Sequence, residues 1–257
     1  MNRIQDYSKL ESDITKWIKD YYYSNGIQSL VVGVSGGIDS AVVSTLCAKT
    51  GLPTYVIRMP LESTHQNTKL SDLHAQQLAE EYDNVTNVQV ELSSVYGSLL
   101  HSINWWSEAQ HFDKKEFTSD ELTLANTKSR IRMVTLYQIA GSKKGIVIGT
   151  GNKVEDYGIG FYTKYGDGGV DIAPIADLYK TEVRELGGYL GVIPQIIDAK
   201  PTDGLWDDGR TDEDQLGATY SELEEAMETG KGSGLKVLEE YARMNAHKMN
   251  PIPTFTL

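Results

Sequence analysis

"LVVGVSGGIDSAVVSTL", from Leu30 to Leu46, is the stretch that decides the fold. Its first five residues are apolar and rich in valine, which is typical of a buried strand, and a second apolar run follows the glycines. A glycine-rich turn from a strand into a helix directs backbone N–H groups outward at the positive helix end, where phosphate binds well. The stretch therefore predicts a strand–turn–helix unit that holds a phosphate group.

The same alternation of strands and helices continues on both sides of this unit. Further strand-like runs lie at 54–59, 85–92 and 145–149, and helical spacing occurs at 4–21, up to about 49, and at 68–82, 122–140, 179–190, 219–228 and 233–247. This pattern favours a doubly wound, mostly parallel sheet with helices on both faces, a Rossmann-like α/β fold, with residues 1–257 as a single domain. Ligands bind such sheets beyond the carboxyl ends of the strands, so the turns after Val34, Met59 and Gly149 are expected to converge.

Two segments, 101–120 and 200–216, lack clear periodicity and are expected to be loops, either lids or disordered. The second segment lies mostly in an acidic region, because residues 201–230 hold ten Asp or Glu and one basic residue, Arg210. This region is interpreted as a solvated acidic surface or, alternatively, as a mobile loop beside a site that uses cations.

The amino-acid composition argues against membrane-spanning, nucleic-acid-binding and disulfide-rich proteins. The chain has 257 residues, 40% hydrophobic and 23% charged, with a net charge of −12 and a single cysteine, Cys47. No apolar run approaches the roughly 18 residues that span a membrane, and the negative charge argues against binding nucleic acid or anionic membranes. One cysteine excludes an intrachain disulfide framework and a multi-cysteine zinc site. We expect a cytoplasmic protein.

The carboxylate of Asp39 is unusual inside a phosphate-binding turn. Neither G-x-x-x-x-G-K-[ST] nor G-x-G-x-x-G occurs here, so two common phosphate motifs are absent. A bare carboxylate repels phosphate oxygens, but a Mg²⁺ ion between them removes the repulsion and prefers such ligands. Asp39 therefore indicates a site for a metal–polyphosphate complex; the alternative is an ordinary helix-start Asp.

The motif "SGGIDS" resembles the pyrophosphate loop of the ATP pyrophosphatase superfamily, which includes NAD⁺ synthetases, GMP synthetases, asparagine synthetases and tRNA-modifying ligases. The resemblance implies cleavage of ATP between its α and β phosphates and adenylylation of a substrate oxygen. The residues that would bind ATP in this loop are Gly33, Val34, Ser35, Gly36, Gly37, Ile38, Asp39 and Ser40.

A longer stretch from Gly149 to Leu186, "GTGNKVEDYGIGFYTKYGDGGVDIAPIADLYKTEVREL", resembles the NAD⁺ synthetases, as do "LWDDGRTDEDQLG" and the pair His247–Lys248. The chain carries one residue more between Thr150 and Lys164 than some relatives. The resemblance implies ATP-dependent amidation of deamido-NAD⁺ by ammonia, with release of AMP and pyrophosphate, and a homodimer. No glutaminase domain is expected, and Cys47 falls within a predicted helix, where it makes a poor catalytic thiol.

The resemblance also assigns residues to the two substrates. Asp39 and Glu155 would hold Mg²⁺. Further ATP contacts would come from Arg58, Gln66, Thr150, Lys180 and Thr202. Deamido-NAD⁺ would be held by Arg130, Phe161, Lys164, Asp171, His247 and Lys248.

Three residues are candidates for catalytic roles: Ser35 as a hydroxyl donor, Lys180 on the ATP phosphates and Asp167 as the acceptor of a proton from ammonium. For Asp167, an ordinary turn is the alternative, because "YGDGG" is also good turn chemistry. The alternatives to an NAD⁺ synthetase are another ligase of the superfamily, such as a GMP-synthetase-type subunit, and a non-catalytic nucleotide-binding module.

Overall fold

A computed structural model describes residues 3–61, 65–110, 112–113, 116–201 and 211–256, with the side chains of 65–67 outside the described part. It contains one four-stranded sheet. The strands are β1 (Ser29–Gly33), β2 (Thr54–Arg58), β3 (Val85–Gln89) and β4 (Gly145–Ile148). Their order is β3-β2-β1-β4, and all the pairs are parallel, with Val31 of β1 opposite both Tyr55 and Val147. The four predicted strands are thereby confirmed.

The helices alternate with these strands. They are α1 (Tyr7–Ser24), α2 (Ile38–Lys49), α3 (His65–Glu81), α4 (Ser93–Ala109), α5 (Glu121–Ser142), α6 (Lys180–Tyr189), α7 (Pro194–Ile197), α8 (Asp212–Leu216), α9 (Tyr220–Thr229) and α10 (Leu235–Met249). A π-helical turn covers Lys153–Ile159. The predicted helices are all present, within a few residues at their ends.

Two predicted loops need correction. Helix α4 extends to Ala109, so the first half of 101–120 is helical. Its apolar residues do not form a clean stripe, because Trp105 and Trp106 remain exposed, and no helical period is visible in the sequence. The end of 200–216 forms α8, whose capping box at Thr211 starts a helix too short to show a period.

Both faces of the sheet are covered. Leu30 and Val32 of β1 pack into the core that α1, α2, α3 and α6 build, whereas Val31 and Val147 face Ala140 of α5. Strands that are buried on both faces read as continuous apolar runs, which is the pattern of LVVGV. The doubly wound α/β fold is confirmed.

The connection order places a crevice beside β1. The chain passes from β1 outward through β2 to β3 and then crosses to β4 on the other side of β1. Ligands bind where the direction of winding reverses, beyond the carboxyl ends of the strands, which here means the ends of β1 and β4. None of the helices in the described part of the chain is long and apolar enough to cross a membrane.

Candidate active site

A cavity of about 470 Å³ opens at this crevice. It brings together residues from both ends of the chain, as the fold predicts. The predicted site residues on its wall are Gly33, Val34, Ser35, Gly36, Gly37, Ile38, Asp39, Ser40, Arg58, Thr150, Glu155, Phe161, Asp167, Lys180 and Lys248.

The glycine turn is held open by its own hydrogen bonds. Gly36 has a φ of +92°, which a residue with a side chain rarely adopts, and Gly37 is the N-cap of α2. The Ser35 N–H donates to Ser40 Oγ over 3.2 Å, and Ser40 Oγ donates to the Gly37 carbonyl oxygen over 3.0 Å. The turn is therefore preorganised for an anion at the start of α2.

Lys180, the first residue of α6, lies buried between two carboxylates. Its Nζ donates to Asp39 Oδ2 over 2.5 Å and to Glu155 Oε1 over 2.9 Å. Burial disfavours the ammonium, but the two carboxylate charges outweigh burial and raise the pKa of Lys180. Burial likewise raises the pKa of Asp39, whereas at Glu155 the attraction of Lys180 and hydrogen bonds outweigh burial and lower the pKa. With two carboxylates and one ammonium, this cluster has a net negative charge when all three groups are ionised, so it can bind a further cation.

Asn152 and Tyr220 fix the carboxylates, and the sequence did not point to either residue. The Asn152 amide donates to Asp39 Oδ1 over 3.2 Å, while its Oδ1 accepts the N–H of Glu155 over 3.1 Å. The Tyr220 hydroxyl donates to Glu155 Oε1 over 2.6 Å. Asn152 carries an N-cap signal before a helical turn, but nothing local to Tyr220 indicates a contact that spans 65 residues.

The π-helical turn presents Glu155 and Asp156 to the cavity. A π turn holds one residue more than an α turn does, and this one lies between Thr150 and Lys164, the interval in which the sequence analysis predicts an extra residue. A Cβ at Gly151 would lie 2.0 Å from Asp156 Oδ2, so only glycine leaves room for that carboxylate. Burial, together with the charges of Glu155 and Asp167, raises the pKa of Asp156 to about 8. Sequence reasoning missed Asp156.

Asp167 sits in the "YGDGG" turn against α5. Its Oδ1 accepts the Ser129 hydroxyl over 2.8 Å and the Thr163 N–H over 2.9 Å. A Cβ at Gly166 would lie 2.3 Å from Ser129 Oγ, so that glycine permits the close approach. Desolvation by the surrounding protein raises the pKa of Asp167. Among the described residues both donors contact Oδ1, so the lone pairs of Oδ2 are available to a ligand.

Two arginines line the cavity near the end of β2, one from that strand and one from α5. Arg58 is ion-paired with Asp72, and its Nε donates to Asn87 Oδ1 over 2.9 Å, so its guanidinium is fixed. Arg132 of α5, which was not predicted, donates from Nε to the Met59 carbonyl oxygen over 3.3 Å and lines the cavity.

Four of the residues predicted to bind deamido-NAD⁺ lie outside the cavity wall. Arg130 Nε donates to the Lys164 carbonyl oxygen over 3.3 Å, and Lys164 Nζ donates to the His247 carbonyl oxygen over 2.8 Å, so these three are neighbours. Asp171 lies apart at the sheet edge, where it accepts the Val147 N–H over 2.7 Å. The side chain of Gln66 and all of Thr202 lie outside the described residues.

A family model described as NAD synthase matches residues 10–252. The chain belongs to the NAD synthase family. It is 34% identical over 245 residues to the NH(3)-dependent NAD(+) synthetase of Finegoldia magna, an alignment that covers 95% of this chain and 94% of that protein. The prediction from the Gly149–Leu186 stretch is thereby confirmed, and the family match disfavours a GMP-synthetase-type subunit.

Solved structures described as an NMN synthetase and an NAD synthetase share the fold. The NMN synthetase from Francisella tularensis aligns with a TM-score of 0.86 and 33% identity, covering 99% of this chain and 100% of that chain. The NH3-dependent NAD synthetase from Campylobacter jejuni, in complex with the nitrate ion, aligns with a TM-score of 0.77 and 26% identity, covering 98% and 100%. The sequence predicts a ligase, and the match to the NAD synthase family confirms this prediction.

Proposed function

We propose that this NAD synthase amidates deamido-NAD⁺ with ammonia at the expense of ATP, which is cleaved to AMP and pyrophosphate. The observation that carries the proposal is the pairing of Lys180 with Asp39 and Glu155 at the mouth of the glycine turn. Two carboxylates beside a phosphate cradle are unfavourable for bare phosphate and favourable for a metal-bound polyphosphate. The sequence similarity to NH(3)-dependent NAD(+) synthetases supports ammonia as the nitrogen donor and this substrate.

Asp39 and Glu155 fit Mg²⁺ as its protein ligands. Their oxygens converge within hydrogen-bond reach of one Nζ atom, so one small cation can contact both. Within the described residues no group of three or more His, Cys, Asp or Glu is arranged to hold a metal, which agrees with an ion that takes its other ligands from phosphate and water. When bound, Mg²⁺ would supply Lewis-acid polarisation of the phosphates.

In the first step, a carboxylate oxygen of deamido-NAD⁺ attacks the α-phosphorus, and the bond from that phosphorus to the bridging oxygen breaks. The N–H groups at the start of α2, from Ile38 to Ser40, would hold the departing pyrophosphate, and the Lys180 ammonium moves from the carboxylates to the phosphate as negative charge builds there. The chain mainly places two anions in line and offsets their repulsion.

In the second step, ammonia attacks the carbonyl carbon of the mixed anhydride, and AMP leaves. Ammonium is the main form at neutral pH and has no lone pair, so it must lose a proton first. Asp167 is the proposed acceptor, because its Oδ2 is not used by the donors that fix Oδ1. Its raised pKa brings it closer to that of ammonium and favours the transfer.

The dinucleotide is proposed to lie along the edge formed by Arg130, Lys164, His247 and Lys248, with Phe161 as a stacking surface and Asp171 at its far end. Lys248 links this edge to the cavity, since it lines the wall and donates to the Tyr162 carbonyl oxygen over 2.9 Å. A substrate with two phosphates and a carboxylate needs such a run of cations.

A second acceptor is the mononucleotide of nicotinate. The high TM-score of 0.86 with a structure described as an NMN synthetase favours this candidate. It would fill the cavity and leave the Arg130–His247 edge unused. The relative kcat/KM of the two acceptors decides between them.

We also propose a homodimer in the cytoplasm, formed through α4 and α5. These helices expose Trp105, Val134 and Leu122, at 67%, 61% and 59% of their surface. Apolar groups at such exposure favour association with a second apolar face. Because Tyr137 of α5 contacts Asp171 over 3.2 Å, the same face borders the proposed dinucleotide edge.

The experiment is an assay of the purified chain with ATP, Mg²⁺, ammonium and either acceptor, in which AMP and the amidated product are both measured. We expect equal amounts of AMP and NAD⁺ with deamido-NAD⁺. Turnover of nicotinate mononucleotide alone would select the second acceptor, and no AMP with either would reject a ligase. Light scattering gives the mass, and a monomer would contradict the dimer.

A further inference from the structure

His74 of α3 is a buried polar side chain that the reaction does not use. It is 2% exposed, and its Nε2 lies 2.9 Å from the hydroxyl of Ser44 in α2. Its other ring nitrogen, Nδ1, is buried and has no hydrogen-bond partner among the described residues. A polar group left unpaired in a core is unfavourable, so a reason for its presence is needed.

The neighbours of the His74 imidazole favour one tautomer, the one with its proton on Nε2. The Ser44 hydroxyl has one hydrogen, and the Ser40 carbonyl oxygen at 2.7 Å and the Ala41 carbonyl oxygen at 3.1 Å can only accept it. When that hydrogen is directed to a carbonyl, His74 Nε2 carries the imidazole proton and donates to Ser44 Oγ, whereas the other tautomer would leave a buried N–H group unpaired at Nδ1. The Nδ1 atom is left as a bare lone pair, which is less unfavourable in an apolar core than an unpaired N–H group.

Two hydrogen bonds connect His74 with Ser40, a residue that also contacts the glycine turn. His74 donates to Ser44, Ser44 donates to the carbonyl oxygen of Ser40, and the Ser40 hydroxyl accepts the Ser35 N–H. The first two bonds are in series and polarise one another, and the third is made by a separate group of Ser40, so this residue is held at both its carbonyl and its hydroxyl. The first turn of α2 carries Asp39 and the N–H groups that face the cavity. The carbonyl oxygen of Ser40 in this turn is held by the Ser44 hydroxyl, on the side of α2 that faces the core.

We propose that His74 is a positioning residue for the phosphate-binding turn, acting through Ser44 on Ser40. The inference rests on the proposed use of that turn for ATP. It assigns His74 no contact with substrate. Its role is to limit the movement of the first turn of α2, and therefore to set how tightly the ATP phosphates are held.

The test compares His74→Leu, which removes the donor, with His74→Gln, which places an amide N–H near the same point. We expect His74→Leu to raise the KM for ATP three- to tenfold, with kcat and the KM for the acceptor nucleotide within twofold of the parent. Interactions made equally in ground and transition states appear in KM alone. His74→Gln should return the KM for ATP to within twofold.

Two controls separate positioning from general support of the fold. Leu78→Val trims another buried residue of α3 and should lower the melting temperature without changing the KM for ATP. The double variant His74→Leu/Ser44→Ala should resemble Ser44→Ala alone, because the effect passes through that hydroxyl. Full additivity of the two changes, or a loss of melting temperature with an unchanged KM for ATP, would overturn the inference. An inactive parent enzyme would instead refute the proposed function.

Discussion

Lys180 Nζ lies 2.5 Å from Asp39 Oδ2, although 141 residues separate the two along the chain. The ammonium neutralises one of two buried carboxylates, and its own burial is tolerated only because they are there. In the proposed function a metal ion would take over the pairing with these carboxylates, and Lys180 would then pair with the ATP phosphates.

Lys180→Met should therefore impair both stability and catalysis. Removing one partner of a buried ion pair leaves carboxylates unpaired and costs about 3–5 kcal/mol of unfolding free energy. We expect kcat to fall by about 10³-fold as phosphate charge is no longer offset, a loss in the range for a removed electrostatic donor. Urea unfolding and steady-state kinetics measure both, and Lys9→Met, in an exposed pair with Asp13, is the control with little change.

Tyr220→Phe should weaken metal binding more than it weakens the fold. The change deletes the donor to Glu155 Oε1 and leaves the ring in place. We expect the Mg²⁺ concentration for half-maximal binding, measured by calorimetry in the presence of ATP, to rise about threefold to tenfold. Tyr241→Phe, which removes a hydroxyl bonded to the Gln215 carbonyl oxygen, is the matched control. Equal metal affinity in both variants would argue against a role for Tyr220 at the metal.

Gly151→Ala should destabilise the protein, because the new methyl group overlaps the Asp156 carboxylate at 2.0 Å. Overpacking of this kind costs about 1–3 kcal/mol. The double variant Gly151→Ala/Asp156→Ala should recover most of that loss, since the clash is gone. Gly188→Ala meets no atom within 4 Å and lies within α6, so as a control it should gain up to about 1 kcal/mol. Failure of the second substitution to rescue the first would mean that the backbone, not Asp156, excludes the methyl group.

The stability of the chain should depend on pH through His74. Burial, opposed by the Ala41 carbonyl, lowers the pKa of His74 from 6.5 to about 4. Between these values the unfolded state binds more protons, so stability is present near pH 7 and is lost as the pH falls toward 4, by about 3 kcal/mol. Urea unfolding at several pH values should show this loss in the parent and in Ser44→Ala, but not in His74→Leu. Parallel curves for all three proteins would contradict it.

Asp167→Asn should affect the nitrogen donor selectively. An amide accepts a proton poorly, so kcat/KM for ammonium is expected to fall by about 10²-fold, while KM for ATP and for the acceptor stays within twofold. Ser129→Ala removes one of two donors to Oδ1 and should cause a smaller loss. An unchanged dependence on ammonium in Asp167→Asn would remove Asp167 from this role.

Much of the fold was predictable, because the strands carry local signals. Apolar runs at Leu30 and Gly145 mark strands buried on both faces, and helix periods are visible wherever one face packs on the sheet. Helix α4 was not predictable by this route, since its exposed tryptophans obscure the period.

Motifs in the sequence point to Asp39, Glu155 and Lys180, which line one cavity in the structure, and their roles at the candidate site stay predictions. The contacts of Tyr220 and His74 were not predictable, because the partner of each is distant in sequence and no residue nearby signals it. The periodicity of a segment indicates which of its faces is buried, but it does not indicate which distant residue a side chain contacts.

The parallel pairing of β1 with β4 has a consequence for the order in which the chain folds. Leu30 pairs with Ile146, and the Asn152 side chain contacts Asp39, which lies 113 residues earlier, so the proposed ATP site depends on contacts of long sequence separation. Contacts of such long range form slowly, and strands β1 to β3 can meet well before β4 is available. A nascent chain that ends before Glu155 therefore has the glycine turn without Glu155 and Lys180, and the proposed ATP site is incomplete until both residues are in place.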